Sequence, residues 1–199
     1  MSAELWLVVG LGNPGPTYAG NRHNVGAMVT EAVAEQVPGE FVRHRARAQV
    51  LDGRMGVRSG GAPGPRVVLA KPSTYMNVSG APVAALCRFY SVPPERLLVV
   101  HDELDLPAHT LRLKQGGGTG GHNGLKAISA ALGTPGYVRL RVGIDRPPGR
   151  MDPADYVLQD FPAGERTEWA VTVEQGAQVI RDVIHDGLER TQNVLHTST

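Results

Sequence analysis

The chain has 199 residues, a length that fits one domain with a hydrophobic core of its own. Its hydrophobic content of 41%, charged content of 20% and net charge of +1 exclude a disordered or fibrous chain. The single cysteine excludes a disulfide framework, and no apolar run is long enough to span a membrane. We therefore expect a single cytoplasmic domain over residues 1–199, without a signal peptide.

Short apolar runs alternate with amphipathic segments along the chain, which is the pattern of an α/β domain. Mostly buried strands are predicted at Leu5–Val9, Val67–Ala70, Leu97–Val100 and Leu140–Ile144, and strands nearer an edge at Arg43–Leu51 and Leu111–Lys114. Helices are predicted at Ala27–Val37, Val83–Tyr90, Leu125–Leu132 and Glu165–Ile184. We expect one domain in which a mixed, largely parallel, twisted sheet is packed between helices.

Two glycine-rich loops have a composition that is also found in nucleotide sites. The first, GLGNPG at residues 10–15, has the spacing of a dinucleotide-binding loop and follows a predicted strand. Such a loop must open directly into a helix, whereas prolines and glycines keep this chain irregular until about Asn24. The second, GGGTGG at residues 116–121, lacks the lysine and hydroxyl residue of a P-loop. Neither loop therefore predicts a nucleotide site, although both imply a close approach of the backbone to another group.

Polar side chains cluster next to the predicted strands, where an open α/β sheet places its ligands. They are Asn13, Tyr18, Arg22, His23 and Asn24, then Lys71, Tyr75, Met76 and Asn77, then His101 and Asp102, and finally His122 and Asn123. A histidine, a carboxylate and several amides suit a water molecule that attacks a carbonyl without a covalent intermediate. The imidazole takes the proton of the water, the carboxylate fixes the imidazole tautomer, and the amides donate to the oxyanion.

Several of these residues have simpler structural interpretations. We interpret Asn24 as the cap of the helix that follows it, while Asn123 could equally cap a helix or contact a substrate. Cys87 lies in an apolar run and is predicted to be a packed core residue. A metal site built from His101, Asp102, Glu103 and Asp105 is an open alternative, although the second histidine of the common zinc motif is missing.

The charge of the chain is unevenly distributed. Residues 1–150 carry a net charge of +7 and residues 151–199 a net charge of −6. Between residues 110 and 150 a single acid, Asp145, stands against the basic residues Arg112, Lys114, Lys126, Arg139, Arg141, Arg146 and Arg150. Such an excess fits a surface for a phosphate backbone, but charge alone slightly favours a solvated basic face.

Four motifs in this order resemble those of the bacterial-type peptidyl-tRNA hydrolases. They are GLGNPG followed by Tyr18 and NRHN-x-G from residue 21, KP-x-TYMN-x-SG from residue 71, HDELD from residue 101 and GGHNGLK from residue 120. The resemblance spans nearly the whole chain and implies a single α/β domain and a monomer. It also implies hydrolysis of the ester that joins a peptide to the 3′-terminal adenosine of tRNA, a reaction that recycles tRNA and needs no metal or other cofactor.

The resemblance also assigns roles to residues. It makes His23 the general base, Asp102 the residue that stabilises its basic form, and Asn13 the sensor that separates peptidyl-tRNA from aminoacyl-tRNA. Contacts with the tRNA 3′ end or the adjoining peptide are implied for Tyr18, Tyr75, Asn77 and Asn123, with Met76 and His122 lining the cleft. The resemblance further implies that the basic surface binds the phosphates of the acceptor stem. The members of this surface are Arg112, Lys114, Lys126, Arg139 and Arg141.

Other classes of protein stay open beside this hydrolase. A non-catalytic RNA-binding module could use the same fold, although the presence of both His23 and Asp102 favours an enzyme. A nucleotide-dependent oxidoreductase is disfavoured by the context of the first glycine loop. A metallohydrolase would depend on His101 and Asp105, and its activity would be sensitive to a chelator.

Overall fold

Seven strands form one sheet in the computed structural model, which describes residues 5–198. They are β1 (Trp6–Gly10), β2 (Val42–His44), β3 (Ala48–Arg54), β4 (Arg66–Pro72), β5 (Leu97–Glu103), β6 (Leu111–Gln115) and β7 (Val138–Gly143). Their order across the sheet is β2-β3-β4-β1-β5-β7-β6. The neighbours β4, β1, β5 and β7 run parallel, while β2, β3 and β6 are joined by antiparallel pairings at the two edges. The predicted α/β fold with a mixed, largely parallel sheet is confirmed.

Helices cover both faces of this sheet. They are α1 (Val25–Ala34), α2 (Gly80–Tyr90), α3 (Asn123–Leu132), α4 (Pro153–Val157), α5 (Arg166–Asp186) and α6 (Leu188–Thr197). Side chains alternate along each strand, so Trp6 and Val8 pack with α1 and α5, whereas Leu7 and Val9 pack with α2 and α3. Cys87 is buried in the second of these clusters, as predicted. Within residues 5–198, no helix is long and apolar enough to cross a membrane.

The segment predicted as one edge strand, Arg43–Leu51, is a hairpin of two strands. The chain reverses between β2 and β3 at Arg47, whose φ of 57° lies in the left-handed region. The Ala46 backbone N–H donates to the His44 imidazole at 3.0 Å and tightens this turn. Because no glycine or proline marks the reversal, the sequence pattern could not show it.

Two helices were not predicted from the sequence. The short α4 has a readable start, since the Asp152 side chain accepts from the Ala154 N–H at 2.9 Å and Pro153 follows as the first residue. The last helix, α6, is largely polar and packs against α5 and β6, where Gln192 donates to the Leu113 carbonyl at 3.0 Å. Neither helix has an apolar stripe long enough to give a periodic signal.

The start of α1 lies directly on the carboxyl end of β5. A Cβ at Gly26 would stand only 2.1 Å from the Val100 carbonyl oxygen, so the absence of a side chain permits this approach. The Leu11 N–H donates to the same Val100 oxygen at 3.1 Å, which holds the loop after β1 there as well. This packing brings the residues just before α1 next to those at the end of β5.

Candidate active site

Three side chains from distant parts of the chain meet at the carboxyl ends of β1 and β5. His23 lies on a short 3-10 helix, Arg22–Asn24, while Asp102 is near the end of β5 and His122 directly precedes α3. The Nδ1 atom of His23 is 2.8 Å from Asp102 Oδ2, and Nε2 of His122 is 2.8 Å from Asp102 Oδ1. The structure therefore brings His23 and Asp102 together. The second histidine on the same carboxylate was not predicted from the sequence.

The hydrogen bonds around His122 define which of its nitrogens carries the proton. The backbone N–H groups of Gly124 and Leu125 donate to Nδ1 at 3.1 and 3.4 Å. Because Nδ1 is an acceptor, the proton lies on Nε2, which donates to Asp102 Oδ1. The other oxygen of Asp102 accepts the Nδ1–H of His23. The Nε2 lone pair of His23 is then left for a substrate.

His23 and Asp102 are both buried, and each of them favours the charged form of the other. Burial alone would lower the pKa of His23, but the charge of Asp102 and the hydrogen bond to it raise this pKa above its ordinary 6.5. Burial alone would raise the pKa of Asp102, but the two histidines hold it well below its usual range. Asp102 is therefore a carboxylate at any pH near neutrality. His23 gains its proton at a higher pH than a histidine in water.

The alternative metal site does not assemble around its expected ligands. His101 is buried, and its Nδ1–H donates to the Asp102 carbonyl at 2.7 Å. Burial lowers the pKa of His101 to about 3, with a smaller contribution from His122, so this imidazole is neutral. Asp105 is instead paired with the exposed Arg146. These two residues are not part of the one group of three or more potential metal ligands among residues 5–198, which comprises His23, Asp102 and His122. In that group, the hydrogen bonds of both imidazoles to Asp102 occupy the nitrogens that face the carboxylate.

Asn13 is held on both its main chain and its side chain. Its backbone N–H donates to Asn24 Oδ1, and its carbonyl accepts from Asn24 Nδ2, both at 2.9 Å. Its own Oδ1 accepts from the Met76 N–H at 2.8 Å. Within residues 5–198 no hydrogen bond is made by Nδ2 of Asn13, so the amide is fixed with its donor end available.

The prediction that Asn24 caps α1 is wrong. Asn24 stands at the cap position but makes no side-chain hydrogen bond to the helix, because both ends of its amide bind Asn13. The cap of α3 is likewise not Asn123, since the His122 ring accepts the free N–H groups of that helix. Asn123 is the exposed first residue of α3. Of its two interpretations, only the contact with a substrate stays.

Aromatic and amide side chains, which we call the rim, lie on the segments that follow β1 and β4, close in the chain to Asn13 and to its hydrogen-bond partner Met76. Tyr18 and Tyr75 meet edge to face with ring centroids 6.2 Å apart, and Tyr75 is 58% exposed. Asn77 is also exposed, on a 3-10 helix that follows Tyr75. Met76 is buried, and its sulfur lies against the start of α3. The rim therefore offers ring faces and amides, whereas Met76 supports it from below.

Two open cavities lie beside these groups. One of about 250 Å³ is lined by His23, Asp102, His122 and Asn123, and α4 forms part of its far wall. Another of about 200 Å³ lies between the loop after β1 and the end of β4, and Asn13 is among its lining residues. A substrate that reaches both the imidazole and the Asn13 amide would therefore extend from one cavity towards the other.

Two lysines of the predicted basic surface are exposed, whereas its members Arg139 and Arg141 bind other groups of the protein. Lys114 and Lys126 are exposed, and neither takes part in an ion pair within the described residues. Arg141 instead binds the Glu103 carboxylate through Nε and Nη2, at 3.0 and 2.6 Å. Arg139 is buried and donates to the carbonyls of the glycine-rich loop, among them Gly117 at 2.8 Å. The lysines are thus the better candidates for phosphate contacts.

The 3-10 helix that carries His23 is anchored to the acidic carboxyl-terminal part of the chain. Asn21 donates to Asp160 Oδ1 at 2.7 Å, and the Arg22 guanidinium lies 4.2 Å from the ring centroid of Tyr156. Arg22 also donates to the Asp160 carbonyl at 3.2 Å. Sequence reasoning missed this role because the partners are more than 130 residues away.

The chain is similar to known proteins along almost its whole length. Residues 7–199 match the family model described as peptidyl-tRNA hydrolase. Relatives called peptidyl-tRNA hydrolase include one from an Arthrobacter species, 53% identical over 98% of both chains, and one from Frankia alni, 56% identical over 96% of this chain and 93% of its own. The crystal structure of peptidyl-tRNA hydrolase from Acinetobacter baumannii matches with a TM-score of 0.85 and 33% identity, covering 98% of this chain and 96% of that one. The chain therefore belongs to the peptidyl-tRNA hydrolase family.

Proposed function

We propose that this chain hydrolyses the ester between the peptide and the 3′-terminal adenosine of peptidyl-tRNA, with His23 as the general base. The observation that carries the proposal is the 2.8 Å hydrogen bond from His23 Nδ1 to the buried carboxylate of Asp102. This bond directs the basic Nε2 of His23 away from Asp102, in a side chain that lines the larger of the two cavities. Membership of the family indicates the reaction, and the hydrogen bond orients the base that this reaction needs.

The reaction proceeds by direct attack of water on the ester carbonyl. Nε2 of His23 takes a proton from the water as its oxygen bonds to the carbonyl carbon, and Asp102 stabilises the imidazolium that forms. The tetrahedral intermediate then breaks its bond to the adenosine 3′ oxygen. The imidazolium returns the proton to that oxygen, which leaves free tRNA and a peptide carboxylic acid. No covalent intermediate on the protein and no metal is required.

Asn13 gives the site a way to recognise a blocked amino group. Its Oδ1 is held by the Met76 N–H, so its Nδ2 donor end has a fixed direction. A peptidyl-tRNA offers a carbonyl on the nitrogen of its last residue, which can accept from this donor. An aminoacyl-tRNA offers an amino group in the same place and no acceptor carbonyl. An unmatched donor there costs binding energy, and this disfavours the unblocked substrate.

The rim residues are suited to the 3′ end of the tRNA. Tyr18 and Tyr75 would stack on terminal bases, an interaction of ~1–3 kcal/mol per base. Asn77 and Asn123 would donate to the nucleotides or the adjoining peptide, with Met76 and His122 beneath them. Phosphates of the acceptor stem would contact Lys114 and Lys126, and Arg141 where Glu103 leaves it accessible. Because one copy of the chain supplies every residue of this site, we expect a monomer that acts in the cytoplasm, where tRNA is.

The direct test of the proposed function compares N-blocked aminoacyl-tRNA with its unblocked counterpart in the presence of EDTA. We expect the purified chain to release the blocked amino acid at each turnover and to leave the unblocked ester intact. EDTA should not change the rate, because the base is an imidazole. Loss of activity in EDTA would favour a metallohydrolase. Tight binding of tRNA without turnover would favour a non-catalytic RNA-binding module.

The proposed binding of phosphates makes a separate prediction. Lys114→Glu and Lys126→Glu should each raise KM for peptidyl-tRNA and leave kcat nearly unchanged, since neither lysine touches the reacting atoms. The slope of log KM against log salt should fall by about one for each phosphate that the variant no longer neutralises. Steady-state kinetics between low and physiological salt would measure it. Arg43→Glu, an exposed change on the opposite edge strand β2, is the matched control and should alter neither value.

A further inference from the structure

His122 occupies a position that the hydrolytic mechanism does not by itself explain. Its ring connects two parts of the site, because Nδ1 accepts the first N–H groups of α3 while Nε2–H donates to Asp102. We propose that His122 is a positioning residue, which fixes the Asp102 carboxylate from behind so that its other oxygen faces His23. The inference rests on the proposed function and extends it to a residue that need not touch the reacting atoms.

The hydrogen bond between His122 and Asp102 is buried, which increases its effect on the carboxylate. The side chains of His122 and Asp102 are 8% and 2% exposed, so little water reaches the bond between them. Without the His122 donor, Asp102 Oδ1 would be a buried charged acceptor with no side-chain partner among the described residues. Such an atom costs more than an exposed one, and the carboxylate would rotate to find another donor. That rotation would move Oδ2 out of line with His23.

The same bond adjusts the charge that His23 experiences. A donor on Oδ1 draws negative charge away from the oxygen that faces His23, which weakens the attraction between Asp102 and the imidazolium. With Asp102 held in place, the bond from His122 therefore moderates the attraction between Asp102 and the His23 proton. Once that bond is lost, the rotation of Asp102 out of line with His23 outweighs this effect and lowers the pKa of His23. The other charged groups around this cavity are already paired, since Glu103 binds Arg141 and Arg146 binds Asp105. The neutral His101 reaches Asp102 only at its carbonyl. Apart from His23 itself, His122 is thus the group whose loss changes the charge on Asp102 most directly.

The connection continues into the part of α3 that faces the substrate. His122 ends the glycine-rich loop, and the first turn of α3 carries Asn123 and Lys126, both exposed. The Lys126 backbone N–H donates to the His122 carbonyl at 3.0 Å. A substrate that contacts this turn is therefore one hydrogen bond away from His122, which in turn contacts Asp102. His122 therefore connects the turn of α3 that would contact the RNA with the carboxylate that orients His23.

Two conservative variants separate the two functions of the ring. Asn at position 122 places its amide oxygen where Nδ1 was, so His122→Asn keeps the cap of α3 but is too short to reach Asp102. Gln places its amide nitrogen where Nε2 was, so His122→Gln keeps the donor to Asp102 but loses the cap. The wild-type protein should have an acid limb in its kcat/KM profile above pH 6.5, because the pKa of His23 in the free protein is raised and only the neutral base is active.

For His122→Asn we expect kcat to fall on the order of 10-fold, less than the loss of the base itself, with KM within about two-fold. Its acid limb should move to lower pH by about 0.5 unit, since the rotated carboxylate holds the His23 proton less tightly. For His122→Gln we expect a smaller loss of kcat and a smaller shift of the acid limb than for His122→Asn, because the donor to Asp102 is kept, and a Tm lower by about 2–4 °C from the missing cap. NMR titration of the His23 ring in the free protein measures the same shift without any turnover.

The measurements on the two variants distinguish a positioning role of His122 from a purely structural one. The inference is overturned if His122→Asn has the kcat and the His23 titration of the wild type. It is equally overturned if both variants lose kcat in proportion to Tm, because His122 would then only stabilise the fold. A wild-type chain without activity on peptidyl-tRNA would remove the proposed function instead. The His23 titration in the two variants would still report whether His122 positions Asp102.

Discussion

A chain with His23→Ala should bind peptidyl-tRNA and release no peptide within the time of the assay. The change removes the imidazole whose basic lone pair is directed away from Asp102, and a water molecule without a general base attacks an ester poorly. We expect kcat to fall by at least the ~10²–10⁴-fold attributed to general-base catalysis, with the affinity for tRNA unchanged. Gel separation of labelled peptidyl-tRNA from free tRNA would measure turnover, and a filter-binding assay would measure affinity.

The effect of His23→Ala on stability should depend on pH in a defined direction. A group whose pKa is raised on folding stabilises the protein most below its unfolded pKa, here 6.5, and this contribution disappears as the pH rises through the folded value. The free energy of unfolding that the variant loses relative to the wild type should therefore be larger at pH 6 than at pH 9. Circular dichroism at pH 7.5 should show a native fold. Full turnover by this folded variant would end the proposed mechanism.

Asp102→Asn should lower kcat nearly as much as His23→Ala, although it only replaces one carboxylate oxygen by an NH₂ group. His122 can present only an N–H to position 102, because its other nitrogen is occupied by the start of α3. The amide oxygen of the new asparagine must then face His122, and its NH₂ group must face Nδ1 of His23. Two N–H groups cannot donate to each other, so His23 has to move its proton to Nε2. The atom that should act as the base then carries a proton.

We expect kcat of Asp102→Asn to fall by about 10²–10⁴-fold, the effect of a misoriented tautomer and a missing carboxylate. Nitrogen chemical shifts of the His23 ring would report the change of tautomer in the free protein. A variant that keeps the Nδ1–H tautomer and most of its activity would contradict this interpretation of the hydrogen bonds. Binding of tRNA to this variant serves as the control, because Asp102 is buried and we expect it to make no contact with the RNA.

The pairing of His23 with Asp102 could be predicted, whereas the contacts that support it could not. Both residues follow predicted strands, and the resemblance assigns them a shared role across 79 positions. Asn24 shows where prediction fails, since an asparagine before a helix predicts a cap, and only tertiary structure shows that it binds the Asn13 main chain. The local excess of basic residues likewise could not reveal that Arg141 is neutralised by Glu103 on the neighbouring strand.

The close contact of Gly26 with the Val100 carbonyl has a consequence for how the protein can vary. Position 26 lies three residues after His23, and position 100 lies two residues before Asp102. The distance between His23 and Asp102 is therefore set by two stretches of backbone that are in contact, with no room between them for a methyl group. Although glycine has no functional group, Gly26 is thus needed to place the imidazole beside the carboxylate. A change on the rim leaves the position of His23 relative to Asp102 intact, whereas a side chain at position 26 would push the two apart.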